Sequence, residues 1–150
     1  MFNMNNGTKD DKGKCKNFKH LPIGLLAALN DKPQINPLIH LLDFINEMQN
    51  GNNVFDSIVL CVREIIKQDR DPYTLYVGAA NVMKFGADKY GDKNYIMVDI
   101  NRYFEAIRRH IIDIIANDDI YHLDKETSER HLSHVLANVF IIADILGGCL

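Results

Sequence analysis

Cysteine is scarce in this chain of 150 residues: Cys15, Cys61 and Cys149 stand far apart with no CxxC spacing. That argues against a disulfide framework and a zinc ribbon, and it fits a reducing compartment. Long apolar runs are missing, so nothing here spans a bilayer. The lysine-rich N-terminus also lacks the apolar core that a signal peptide needs. The expectation is therefore a cytoplasmic protein with no membrane partner. A strong excess of one charge is absent too. A net charge of −3 gives no general basis for binding a nucleic-acid polymer. There is no phosphate-cradling GxxxxGK[ST] loop, no Ser/His/Asp order and no His-Asp doublet, which removes support for P-loop enzymes, triad hydrolases and the metal phosphohydrolases built on such a doublet.

What remains is an ordinary globular composition, 47% apolar and 25% charged, long enough for one domain with a real core. Residues 1–19 carry five lysines and two aspartates but few aliphatic side chains. Such a stretch cannot offset the entropy of ordering, so it reads as a disordered basic tail, either solubilising or in contact with an anionic partner. From residue 20 to 150 the apolar positions repeat every three to four residues. Asn36-Pro37 opens one helical segment and Gly51 closes it; Asn52 or Asn53 opens the next. Asp71-Pro72 starts a third that ends at Gly91. The isoleucine-rich run around His110 keeps the helical period rather than the alternation of a strand. The predicted architecture is an all-α, single-domain bundle of about five or six helices joined by short loops.

Three stretches carry chemistry. In "KFGADKYGDKNY" (84–95), Lys84, Lys89 and Lys93 can neutralise phosphate and Tyr90 and Tyr95 offer stacking faces, while Gly86 and Gly91 allow close backbone approach. The same residues also suit a helix C-terminus capped by Gly91. In "NRYFEAIRRH" (101–110), Phe104, Ile107, Ile111 and Ile114 trace a packing stripe. Arg102, Arg109, His110 and Asp113 lie on another side. Glu105 and Arg109 suit a surface ion pair, whereas Arg102 or Arg109 beside His110 suits an anion site with a proton carrier. In "HLDKETSERHLSHVLAN" (122–138), Asp124 or Thr127 is expected to cap the last helix. Glu126, Glu129, His131 and His134 form a mixed oxygen and nitrogen set, and "ETSE" suits Mg²⁺. His131, His134 and Asn138 share a helix face, which fits either a ligand pocket or a polar seam between helices.

Together the three stretches resemble the N-terminal domain of phage dATP/dGTP diphosphohydrolases over residues 73–146. The likeness rests on Gly86-Ala87 and Lys89-Tyr90-Gly91 with Asn94-Tyr95, then Arg102-Tyr103 with Ala106 and Arg109-His110. It continues with Asp124, Glu126 and Thr127, and ends with His131, Leu132, His134 and Asn138. The resemblance implies an α-helical fold, a purine deoxynucleoside triphosphate ligand and Mg²⁺-dependent release of pyrophosphate. It assigns Lys89, Tyr90 and Asn94 to the nucleotide, Arg102, Arg109 and His110 to its phosphates, and Asp124, Glu126, His131 and His134 to the polar or metal-bearing part. Two departures stand out. Where that pattern often has a Gly-Glu pair this chain offers Asp118 and Asp119, and where it commonly has glycine after Thr127 this chain has Ser128. MazG-like pyrophosphohydrolases follow ExxE with ExxD, and no ExxD follows "ETSE" here.

The expectation drawn from all this is a nucleotide pyrophosphohydrolase. Glu126, His110 and His131 are its candidate catalytic groups. Lys89, Tyr90, Asn94, Arg102, Arg109, His134 and Asn138 would hold the nucleotide, and Glu126 with Asp124 or Asp119 would hold Mg²⁺. By analogy with MazG-like proteins a homo-oligomer is expected. Two other readings stay open: a phage nucleotide sponge that sequesters a host immune signal without turnover, and a purely structural polar seam at an oligomer interface.

Overall fold

The structure is a computed structural model that describes residues 11–147. It bears out the all-α expectation. The α-helices are α1 (Ile23–Leu29), α2 (Asn36–Gln49), α3 (Phe55–Gln68), α4 (Pro72–Tyr90), α5 (Ile100–Asn117) and α6 (His131–Ile145). Short 3₁₀ turns lie at Phe18–His20 and Asn94–Met97. Among the described residues the only extended pairing is an isolated antiparallel bridge between Leu123 and Arg130.

Local signals placed most helix ends. Asp71 caps α4 by accepting from the Thr74 amide at 3.2 Å, Pro72 fills the first position, and Gly91 ends the helix at φ 100°. Gly51 closes α2 at φ 92°, where a glycine is needed. Asn36 proves to be the first residue of α2 rather than its cap; its Oδ1 accepts from the Lys32 amide in the preceding turn. Asn53 does serve α3, accepting from the Phe55 amide at 3.2 Å.

The bundle is organised around α6, which packs against both α4 and α5, while α2 joins α3 to α5. Nine consecutive residues of α6, His131 to Val139, are buried. Its apolar members meet Leu75 and Ala79 of α4 and Phe104, Ile107, Ile111 and Ile114 of α5 in one core. The α4–α6 approach is close because Gly78 has no side chain: a Cβ there would stand 2.3 Å from Ser133 Oγ. Ser133 Oγ in turn donates to the Leu75 carbonyl at 3.1 Å.

The start of α6 corrects the sequence expectation. Neither Asp124 nor Thr127 caps it. The helix begins at His131, after a loop whose last residue, Arg130, is held by a buried ion pair. Arg130 Nη2 lies 2.7 Å from Asp69 Oδ2 and Nη1 lies 3.2 Å from Oδ1. The same guanidinium donates to the Ile120 carbonyl and sits 4.4 Å from the Tyr121 ring centroid. Burial alone would raise the Asp69 carboxyl, but the hydrogen bonds and charge of Arg130, with the Asp71 amide, hold it below its ordinary value. An end of α3 is thereby fastened to the first turn of α6.

The N-terminal stretch is corrected in part. Residues 1–10 lie outside the described residues. Of the remainder, Asp11 is buried and grips Arg102 through two hydrogen bonds of 2.9 and 2.7 Å. Lys14 reaches Glu126 at 3.3 Å, and the Cys15 carbonyl accepts from Arg109. The stretch lacks a core of its own and borrows order from α5.

Gly78→Ala is expected to destabilise the protein by about 1–3 kcal/mol in urea denaturation, because the added carbon overpacks the α4–α6 contact. Combining it with Ser133→Ala should recover part of that loss, and strict additivity of the two changes would contradict the assigned contact.

Candidate functional site

Three segments distant in sequence converge on a cleft of about 150 Å³. The C-terminal part of α4 with the following turn supplies Lys89, Tyr90, Gly91, Asn94 and Tyr95. Helix α5 supplies Tyr103, Arg109 and His110, and the 122–130 loop with α6 supplies Asp124, Glu126, Thr127, His134 and Asn138. Of the candidate residues, Lys89, Tyr90, Asn94, Arg109, His110, Asp124, Glu126, His134 and Asn138 line this space. Arg102, His131 and Asp119 do not. Arg102 is held by Asp11, which raises its pKa further. His131 is buried behind His110. Asp119 is exposed, and its Oδ1 accepts from the Tyr121 amide at 2.8 Å in the turn after α5.

One wall is aromatic and cationic. Lys89 Nζ sits 5.5 Å from the Phe85 ring centroid and 5.4 Å from that of Tyr90. This placement keeps the ammonium beside flat apolar faces. Tyr95 donates its hydroxyl to Asp144 at 2.6 Å; burial first, and then that carboxylate, push its pKa up to about 12. Burial likewise raises Tyr103, whose hydroxyl donates to the Tyr95 carbonyl at 3.3 Å. Both phenols stay protonated near neutrality and serve as rigid lining.

The facing wall is acidic and imidazole-rich. Asp124 organises its loop: Oδ2 accepts from the amides of Glu126 and Thr127 and from the Thr127 hydroxyl, at 3.0–3.1 Å. Thr127 Oγ1 lies 2.7 Å from His134 Nε2, and Asp124 Oδ2 lies 3.6 Å from the same nitrogen. Ser128 takes φ 61°, the left-handed region that favours glycine. The glycine expected from the family pattern therefore has a backbone reason here. The His134 ring stacks on His110 with centroids 4.3 Å apart. His110 Nδ1 meets His131 Nδ1 at 2.9 Å, and His122 stacks behind His131 at 5.2 Å. Asn138 Nδ2 donates to the His134 carbonyl at 2.7 Å.

Several participants escaped sequence reading. Lys14 was placed in the tail, and nothing local linked it to Glu126. Thr127 belongs to the family-like motif and suits a helix cap, but neither reading pairs it with His134. His122 lies on a loop and gave no periodic signal. Arg109 was legible, yet its setting was not: burial lowers its pKa, while Asp11, Glu105, Cys15 and Asp113 act in the opposite direction.

Burial lowers the pKa of His131, against the opposing pull of Asp113 and Asp124. The folded state thus binds a proton there less readily than the unfolded chain, whose histidine titrates near 6.5. The resulting stability is complete above pH 6.5 and is lost as pH falls through the lowered folded value. Urea denaturation between pH 8 and 5 should show that decline, with a shallower slope in His131→Asn; an unaltered slope would contradict it. Ser128→Gly should stabilise the loop by about 1 kcal/mol by removing left-handed strain, read in the same assay.

Residues 64–147 match the family described as dATP/dGTP diphosphohydrolase, N-terminal. Comparison with curated proteins and with solved structures gives no match. The matched stretch contains every cleft residue named above except Lys14. It covers more than half the chain, and the chain belongs to this dATP/dGTP diphosphohydrolase N-terminal family.

Proposed function

We propose that the cleft binds a purine deoxynucleoside triphosphate and releases pyrophosphate from it, leaving the monophosphate. The observation that supports this most is the meeting, across one cleft, of Lys89, Tyr90 and Asn94 with Arg109, His110, Asp124 and Glu126. Tyr90 offers a face for the base, and the amide of Asn94 offers both donors and an acceptor. Arg109 and Lys89, with Lys14 at the rim, would hold the phosphate chain and stabilise charge that builds on the bridging oxygen as the bond breaks. His110 would donate a hydrogen bond to phosphate, with His131 as the positioning residue behind it.

The donor set fits Mg²⁺ in a sparse way. Asp124 and Glu126 supply oxygens at the cleft, and Mg²⁺ commonly takes one or two carboxylates plus water and substrate phosphates. Asp119 falls outside this set. Once bound, the ion would neutralise phosphate charge and acidify a water. The chain's part is to hold Asp124 rigid through its loop amides and to free Glu126 from Lys14 when phosphate arrives to take the lysine.

A second reading, binding without turnover of a nucleotide such as a host immune signal, is favoured by the small number of carboxylates that reach the cleft. It uses the same residues. Incubation with dATP, dGTP and Mg²⁺ should yield pyrophosphate and monophosphate. Glu126→Gln should lower kcat by about 10²-fold or more with Tm unchanged. Intact nucleotide recovered after saturable, Mg²⁺-independent binding would overturn the hydrolase reading and leave the sponge.

A further inference from the structure

We propose that His110, Asp113 and His131 form a site for a first-row transition-metal ion of the Zn²⁺ type, distinct from the Asp124–Glu126 pair. The sequence paired His131 with His134 at i, i+3, but the fold pairs it with His110. Their Nδ1 atoms are 2.9 Å apart, and Asp113 Oδ2 lies 3.8 Å from His131 Nδ1. One ligand atom from each of the three residues lies within 4.8 Å of the others. Ligands held at roughly 2.0–2.1 Å around a tetrahedral or octahedral centre stand about 3–3.5 Å apart. A small swing of Asp113 closes the difference, and that side chain is free to swing because it is 54% exposed.

The chemistry of the donors selects the ion. Two imidazoles and one carboxylate suit Zn²⁺ and its neighbours, whereas Mg²⁺ asks for oxygen. Three protein ligands leave a coordination position open. Their placement follows the way bundles build metal sites: an i, i+3 pair on α5 and a third ligand from the facing helix α6. Without an ion, two Nδ1 atoms at this distance require one to carry a proton and donate to the other; an ion takes both lone pairs instead. Burial keeps His131 in the neutral form that ligation needs. Stacking on His134 and His122 fixes the two rings. His134 itself is committed to Thr127. Asp113 opens the cluster to solvent, giving the ion a way in.

This site does not depend on the hydrolase reading; the two share His110, and His131 behind it, but neither carboxylate. The full chain, stripped with a chelator, is titrated with Co²⁺ and followed by absorption spectroscopy. Visible d–d bands should saturate at one equivalent, without a near-ultraviolet thiolate band, and Zn²⁺ but not excess Mg²⁺ should discharge them. Saturating Zn²⁺ should raise Tm by several degrees, since it binds the folded state. Asp113→Ala, an exposed change that leaves the metal-free Tm in place, should weaken Co²⁺ binding by about 10-fold or more. His131→Asn should abolish the bands. No saturable band, a thiolate band that places the ion on cysteine, or affinity unchanged in Asp113→Ala would overturn the proposal. A chain that releases no pyrophosphate would give the same spectra.

Discussion

The structure depends on one constraint: a helix whose first nine residues are buried on every side and include polar side chains. Helix α6 sends His131, Ser133, His134 and Asn138 into the interior among Leu132, Val135, Leu136 and Val139. Burying such groups without partners costs on the order of 1–3 kcal/mol each, so neighbouring elements must supply partners at fixed positions. Ser133 finds the Leu75 carbonyl, Asn138 the His134 carbonyl, His134 the Thr127 hydroxyl, and His131 the His110 ring. Those obligations set the distance of α4, the register of α5 and the path of the 122–130 loop.

The cleft follows from the same obligations. The loop must bring Thr127 to His134, and doing so carries Asp124 and Glu126 to the rim. Helix α5 must bring His110 to His131, and doing so delivers Arg109 one residue earlier. The polar seam read as one alternative from the sequence and the ligand pocket read as another are thus one arrangement: the inner atoms of the seam satisfy each other, and its outer atoms line the cleft. The burial is achieved within a single chain, without recourse to an interface between copies.

Helices were legible because their signals are local. The Asp71-Pro72 start, the Gly51 and Gly91 ends and the stripe Phe104–Ile107–Ile111–Ile114 each lie within one segment. The first turn of α6 was not legible, since Asp69 and Arg130 decide it from 61 residues apart. The same limit separates Arg109, which reached the cleft, from Arg102, which did not: both sit on α5, but only a distant Asp11 determines which guanidinium is occupied. Asp119 stands where the family pattern often has a Gly-Glu pair, but its carboxylate is engaged locally, accepting from the Tyr121 amide. Ser128 shows the reverse case, where a resemblance pointed to glycine and the backbone supplies the reason.

Histidine-selective NMR tests most directly whether the polar seam and the proposed nucleotide cleft are one structure. The chain has six histidines, and His40 lies on α2 away from the cleft. Titrating dGTP or dATP into ring-labelled protein should shift His110 and His134 in saturable fashion and leave His40 in place. Unmoved His110 and His134 resonances at saturating nucleotide, or shifts confined to His40, would contradict the account.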